Sequence, residues 1–349
     1  ALWTDFDRDT WPDLIIVGEF MPIRIFKNKK GKLEEITSGS GLKNTHGWWN
    51  SITAGDFDQD GDSDYILGNL GLNARYRATA EEPLCIYAAD YDNNGLIDPV
   101  MCYYIDGENY VAHSRNDLIE QISAMRGRFR TYSDYARATF KESFRKEELE
   151  EAHIVKAETF ANSYLENLGS GKFRLTALPR QAQIAPIYGT LVADFNNDTH
   201  PDVLAVGNFY SGEVFAGRYD ASIGWFLAGD GKGGFNAVQV GESGFFVDGD
   251  AKALVNLQGE NGPMAIASIN DGPLKAHAHS GQPGQIYRAG PTDVGAVISY
   301  DDGTREFLEF FYGAGYLSQS SRSLFIPSKA RALKIIDRKG QQTEIPLVK

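Results

Sequence analysis

A nine-residue phrase occurs four times in this chain, and each copy has Asp or Asn at positions 1, 3, 5 and 9 and an aromatic residue at position 2. The first copy runs Asp5-Phe6-Asp7-Arg8-Asp9-Thr10-Trp11-Pro12-Asp13, and the second Asp56-Phe57-Asp58-Gln59-Asp60-Gly61-Asp62-Ser63-Asp64. The third is Asp90-Tyr91-Asp92-Asn93-Asn94-Gly95-Leu96-Ile97-Asp98, and the fourth Asp194-Phe195-Asn196-Asn197-Asp198-Thr199-His200-Pro201-Asp202. Small and apolar residues precede the later three copies, as in Ser51-Ile52-Thr53-Ala54-Gly55. β-Branched or apolar runs follow all four, as in Leu14-Ile15-Ile16-Val17 and Val203-Leu204-Ala205-Val206. Short runs of this kind, bounded by Gly, Asn and Asp, read as strands. The phrase is therefore a loop between two strands, and the repeating unit is a β-hairpin.

Successive copies start 51, 34 and 104 residues apart, so the first two spacings suit one small sheet per repeat and the third holds an insertion. A fifth unit without the acidic loop is expected at Asp248–Leu257, with a polar turn at Gln258–Gly262 and a second strand at Met264–Ser268. Sheets this small cannot bury both faces alone, and radial stacking into a propeller solves the problem while protecting the edges. A side-by-side solenoid is the rival. The 37 glycines, 20 phenylalanines and 17 tyrosines fit many strands joined by tight turns, which favours four-stranded blades over single coils.

Positions 1, 3, 5 and 9 place four oxygen-bearing side chains in one tight loop. Position 7, occupied by Trp11, Asp62, Leu96 and His200, can add a backbone carbonyl. Hard oxygen ligands at this spacing suit Ca²⁺, as in the first part of an EF-hand loop. The true EF-hand fits poorly, because its twelfth-position Glu is replaced by Ile16, Leu67, Met101 and Ala205 inside the strands. Clustered carboxylates repel one another, so a bound divalent cation would couple to folding. The first two copies supply four carboxylates each, whereas Asn94 and Asn196 remove one from the third and fourth, which are expected to bind more weakly. Gly61 and Gly95 occupy position 6, where the turn is sharp, and Thr10 and Thr199 are expected to be strained there.

The phrase Asp-Phe-Asp-x-Asp-Gly-x-x-Asp, with Gly-Asn or Gly-Glu after the second strand, resembles the FG-GAP/VCBS repeats of integrin-type propellers. That resemblance implies Ca²⁺ binding by the matching Asp and Asn residues. Near the end of the chain, Gly313-Ala314-Gly315-Tyr316-Leu317-Ser318-Gln319-Ser320-Ser321, with Ala332–Ile335 and Gly340–Ile345, resembles the ASPIC/UnbV domain. Such domains commonly follow these repeats in secreted bacterial proteins and in cartilage acidic protein, and neither family implies catalysis. The expected fold is mainly β: a β-propeller over residues 1–285 with a helical insertion at about 113–160, and a small ASPIC/UnbV-like β domain over 286–349. Five blade-like units are visible, fewer than the seven common in the family resembled.

Within the insertion, Leu118, Ile122, Met125, Phe129, Tyr132, Tyr135, Ala136, Phe140 and Phe144 approximate a helical stripe, with Ser133 as an N-cap. Two or three helices are expected, either packed on the propeller or forming a partner-binding lid. Trp48 and Trp49 could stack on a sugar ring or pack in the core. His277 and His279, two apart on a strand, face the same way but lack an evident third ligand. Cys85 and Cys102 flank the third loop and either pair across a hairpin or stay as small buried hydrophobes.

The 349 residues carry 34 Lys+Arg against 47 Asp+Glu, a net charge of −13, which argues against gripping nucleic acid or anionic lipid. No apolar run reaches the ~18–20 residues of a membrane helix. No signal peptide is visible, and residue 1 falls within a strand-like phrase, so the chain reads as a mature piece or part of something longer. No metalloprotease, nucleophile-elbow or P-loop motif occurs. The expectation is a non-enzymatic, Ca²⁺-stabilised module outside the cytoplasm that binds a protein or glycan. The alternative is a Ca²⁺-dependent carbohydrate-active enzyme, such as a polysaccharide lyase, on the same scaffold.

Overall fold

The computed structural model describes residues 1–213, 216–259, 262–278, 284–301, 303–313 and 315–347. The chain is mainly β, built from several antiparallel sheets. Four of them pack face to face in series. The first sheet comprises Leu2–Thr4, Asp13–Ile16, Arg24–Lys29 and Lys32–Glu35, in chain order. The second comprises Ser51–Gly55, Asp64–Gly68, Ser163–Asn167 and Phe173–Ala177. The third comprises Ile187–Ala193, Asp202–Gly207, Trp225–Gly229 and Phe235–Val238, and the fourth Ala251–Gly259, Gly262–Ile269 and Lys275–Ala278.

The alternation of apolar residues along these strands explains the stacking, because each inner sheet must bury both faces. Leu2, Ile15 and Ile25 of the first sheet meet Ile52, Tyr65, Leu67 and Leu165 of the second. The other face of the second sheet, through Ile66 and Tyr164, meets Ile187, Val203, Ala205 and Leu227 of the third. Leu191, Leu204 and Val206 then meet Ala251, Leu254, Ala265 and Ala267 of the fourth. Each large apolar side chain buried this way contributes about 1.5–3 kcal/mol, so the interfaces between sheets carry much of the stability.

The third acidic phrase is not in a successive member of the series. Its sheet, made of Leu84–Ala89, Asp98–Ile105, Glu108–Val111 and His153–Ala157, lies within the connection between the second and third strands of the second sheet. The insertion is thus a whole sheet with its helices, not helices alone. The short 34-residue spacing marks the entry to this nested unit. The fourth phrase resumes the series once the second sheet has been completed.

Five short helices follow the inserted sheet's third strand: Arg115–Gln121, Met125–Arg128, Tyr132–Arg137, Phe140–Ser143 and Lys146–Glu150. Leu118, Ile122, Met125, Phe129, Phe140 and Phe144 are buried against Val100 and Tyr91, so most of the stripe is core. Tyr132 and Ala136 are exposed. The N-cap of the third helix is Thr131, whose hydroxyl accepts from the Asp134 N–H at 3.1 Å; Ser133 lies inside that helix. Cys85 and Cys102 sit directly opposite on neighbouring strands, with Cα atoms 5.0 Å apart, and form a disulfide.

The fifth unit is present as the 251–259/262–269 hairpin. Beyond it, Arg305–Glu309, Asp293–Tyr300, Ala330–Asp337 and Gln342–Ile345 form a four-stranded sheet, and Gly284–Arg288 pairs with Ser323–Pro327. This C-terminal unit has its own core around Ile298, Leu324 and Leu333. The Gly313–Ser321 phrase lies outside its strands, and its Ala314, like His279, falls outside the described residues.

Candidate metal centre

All four acidic phrases form the same kind of turn. The residue before position 1 pairs with position 9 in every copy: Thr4 with Asp13, Gly55 with Asp64, Ala89 with Asp98 and Ala193 with Asp202. Each phrase is thus the turn between the first two strands of a sheet, and position 9 opens the second strand. The position-2 rings anchor the turns, with Phe6 against Phe173 at 5.5 Å and Phe57 against Phe235 at 5.2 Å.

Short-range hydrogen bonds set the loop conformation. The position-1 carboxylate accepts from the backbone at positions 5 and 6, as Asp5 does from Asp9 and Thr10 at 3.0 and 2.9 Å. Asp90 takes Asn94 and Gly95, and Asp194 takes Asp198 and Thr199, in the same way; Asp56 takes Gly61. The position-5 side chain accepts from position 7 in all four: Asp9 from Trp11, Asp60 from Asp62, Asn94 from Leu96 and Asp198 from His200. Position 9 accepts from the position-2 N–H in the last three copies, where Asp64, Asp98 and Asp202 hold Phe57, Tyr91 and Phe195. In the first copy Asp13 instead accepts from Asn28 at 2.7 Å.

Position 6 is left-handed throughout. Gly61 and Gly95 have φ of 93° and 86°, whereas Thr10 and Thr199 hold 71° and 80°. A β-branched residue in that region is strained, as the sequence leads one to expect.

These hydrogen bonds leave oxygens unused. Among buried side-chain atoms without a partner are Asp7 Oδ1 and Asp13 Oδ2 in the first loop, Asp56 Oδ2 and Asp62 Oδ1 in the second, and Asp92 Oδ1 in the third. Buried carboxylate oxygens without partners are costly, and a hard cation satisfies them. Asp5, Asp7 and Asp13 bring one oxygen each within 4.8 Å of one another, as do Asp56, Asp58 and Asp60, and Asp90, Asp92 and Asp98. The donor set therefore fits an oxygen-liganded divalent ion in three loops. Trp11 and Leu96 are exposed, so only their backbone carbonyls are available to such an ion.

The fourth loop differs. Asn196 donates its amide to Asp198 Oδ2 at 2.9 Å, and Lys329 of the C-terminal sheet lies 3.8 Å from Asp194. Lys329 thus meets part of the loop's charge from within the protein. Cations also approach the first two loops. Lys27 bonds Asp7 and lies 3.7 Å from Asp9. The field of Arg8 lowers the pKa of Asp56 and Asp62, though other effects dominate there. These basic partners come from distant strands and neighbouring loops, so the nine-residue phrase alone cannot show them.

Burial is the main reason these carboxyls hold protons tightly. It pushes Asp5 and Asp56 up to about 6, Asp13, Asp62 and Asp202 up to about 7, and Asp64 up to about 8, with neighbouring carboxylates adding to the effect. Burial likewise raises Asp58 and Asp98.

Other candidates fall elsewhere. Trp49 is 2% exposed and donates its indole N–H to the Thr45 carbonyl at 2.9 Å, so it packs in the core instead of offering a face to a sugar. Trp48 is half-buried against Phe20 at 5.1 Å. The His200 ring contacts Gln59 at 3.0 Å in place of its own loop. His277 stacks on Phe245 at 4.9 Å.

Among the described residues, no helix is long and apolar enough to cross a membrane. No curated protein matches the chain. Residues 5–67, which span the first two acidic loops and the strands around them, match the family model of an FG-GAP-like repeat, a repeat typical of extracellular proteins.

Proposed function

We propose that this chain is an extracytoplasmic, non-enzymatic binding module in which Ca²⁺ rigidifies a propeller-type stack of sheets that displays its surface loops to a protein or glycan partner. The C-terminal sheet is the ASPIC/UnbV-like unit of that assembly. The observation that carries the reading is the pattern of unpaired carboxylate oxygens left in three loops that share the position-1 and position-5 hydrogen bonds to the backbone. The Cys85–Cys102 disulfide supports an oxidising compartment. The FG-GAP-like match supports an extracellular setting. The carbohydrate-enzyme alternative drew on a pair of sugar-stacking tryptophans, and burial of Trp49 withdraws half of that support.

Thermal unfolding in millimolar Ca²⁺, in Mg²⁺ and in chelator tests the stabilising role. A site filled at a hundred times its Kd adds about 2.7 kcal/mol. At about 2–4 °C per kcal/mol, chelation is expected to lower the midpoint by several degrees, with Mg²⁺ restoring little. Identical midpoints in Ca²⁺ and chelator overturn the proposal.

A further inference from the structure

The C-terminal unit contacts the stack through several side chains. Two of its hydrogen-bonded contacts with the stack bracket a cavity. Glu309 accepts from Thr4 Oγ1 and Ser63 Oγ, each at 3.0 Å, and Asn256 exchanges hydrogen bonds with Ser320 and Ser321. Between these contacts lies a cavity of about 640 Å³. Its walls are the first strands of the second and third sheets near Ala54 and Val192, the fourth sheet near Ala276 and His277, and the strand Arg305–Glu309. This volume falls in the range of small-molecule sites, about 300–1,000 Å³.

The lining combines two chemistries. Rings dominate its apolar part, with Phe195, Phe226, Phe245, Tyr300, Phe307 and Phe310 all contributing. Its charged groups are mostly acidic: Asp56, Asp194, Glu306 and Glu309 against a single arginine, Arg322. That guanidinium is engaged with the Gly290 and Asp293 carbonyls at 3.0 and 2.6 Å and with Tyr312 at 2.7 Å. Three buried polar atoms of the wall have no partner, one of them Arg322 Nε, the remaining N–H of a guanidinium whose other nitrogens are engaged. The other two are His277 Nε2 and Asp56 Oδ2, the latter on a residue 3% exposed. Aromatic faces and carboxylates both attract positive charge, and a low-dielectric wall strengthens that attraction.

We propose that this cavity binds a small organic cation, an ammonium or guanidinium group carried on an apolar, ring-sized body. Glu306 is the charge partner best placed for it. Its carboxylate is held by Tyr300 Oη at 2.8 Å from its own sheet, while Glu309 is committed to Thr4 and Ser63. Among the described lining residues acids outnumber bases, which disfavours an anion, and a neutral body of the same shape gains only hydrogen bonds from them. This inference goes beyond the display-module reading, and because Asp56 and Asp194 also belong to the acidic loops, Glu306 is the carboxylate that carries it when those loops hold Ca²⁺.

Calorimetric titration of the full chain with phenethylammonium and benzyltrimethylammonium tests it, with 2-phenylethanol, phenylacetate and a neutral disaccharide as controls. All arms run in saturating Ca²⁺ and again in chelator. Saturable binding of the two cations alone is expected in both. Glu306→Gln is expected to weaken it about tenfold, equivalent to about 1.4 kcal/mol. Ala276→Trp, at an exposed position on the wall, is expected to abolish it with the melting midpoint unchanged. Binding of the alcohol or the disaccharide as tightly as the amines overturns the proposal, as does absence of binding by either cation. Amine binding that vanishes when Ca²⁺ is added also overturns it, because the amine was then occupying the loops.

Discussion

His200 Nδ1 lies 3.0 Å from Gln59 Oε1, joining two acidic loops that are 141 residues apart in sequence. Gln59 Nε2 also donates to the Thr199 carbonyl at 2.8 Å. Gln59 is position 4 of its loop, and Arg8, at position 4 of the preceding loop, stands beside Gly61. Position 4 has positive φ in both, 57° at Arg8 and 58° at Gln59, and in each case its side chain meets the next loop of the series. The loops of the first three stacked sheets are therefore linked in a row. We expect Gln59→Ala and His200→Ala each to cost about 0.5–1.5 kcal/mol and to be coupled by a similar amount in a double-mutant cycle followed by urea unfolding. Strictly additive effects would mean the link carries no energy.

Lys27 serves the first loop as a built-in counter-ion through its contacts with Asp7 and Asp9. A divalent ion entering that loop must compete with it. Lys27→Met is expected to destabilise the metal-free protein by about 1 kcal/mol and to tighten Ca²⁺ at that loop about tenfold. The gap between melting midpoints in Ca²⁺ and in chelator should widen. A gap equal to that of the wild type would show that the ammonium and the metal do not share the loop.

The disulfide closes a 17-residue separation around the third loop. Chain-entropy arguments give about 3 kcal/mol for a closure of this length. Replacing both cysteines with serine is expected to lower the stability of the inserted sheet by up to that amount. Hydrogen exchange resolves the effect, with faster exchange at Leu84–Ala89 and Asp98–Ile105 and little change in the third and fourth sheets. Uniform acceleration across the whole chain would contradict a local role.

Glu306 gives a pH signature. Burial pushes its carboxyl up to about 7, with Asp194 and Asp56 adding to the rise and Tyr300 and Lys329 opposing it. An unfolded glutamate titrates near ~4.3, so between that value and about 7 the folded chain binds more protons than the unfolded one. The stability linked to this group is complete below the unfolded value and is lost as pH rises through 7. Glu306→Gln is therefore expected to match the wild type at pH ~4.5 and to exceed it at pH ~8 in denaturant titrations. Equal stability at both pH values would show that the carboxyl titrates normally. The same variant is the one expected to weaken amine binding, a trade of function against stability.

The acidic loops were legible because their conformation is local. Asp5, Asp56, Asp90 and Asp194 each bond backbone groups within five residues, so the spacing itself encodes the turn. The strain at Thr10 and Thr199 was legible for the same reason. Nesting was not. Recurrence of the phrase at Asp90 says that another hairpin begins there, but nothing local reveals that Tyr65 awaits Leu165 as its neighbour. The cap at Thr131 was missed because Ser133, two residues on, has the same chemistry. Lys27, Lys329 and Glu309 could not be assigned, since each meets partners far from it in sequence or on another sheet.

The nested sheet also bears on how the chain emerges from a ribosome. Tyr164 Oη bonds Asp64 Oδ2 at 2.7 Å across 100 residues of intervening sequence. The insert finds all its strand partners between Leu84 and Ala157, so it can close while the sheet that hosts it is still half synthesised. During that interval Tyr65, Ile66 and Leu67, all fully buried in the finished molecule, belong to a strand with one open edge. An apolar edge left waiting is a template for misassociation between nascent chains. Translation speed through residues 69–162 thus governs how long the molecule is vulnerable.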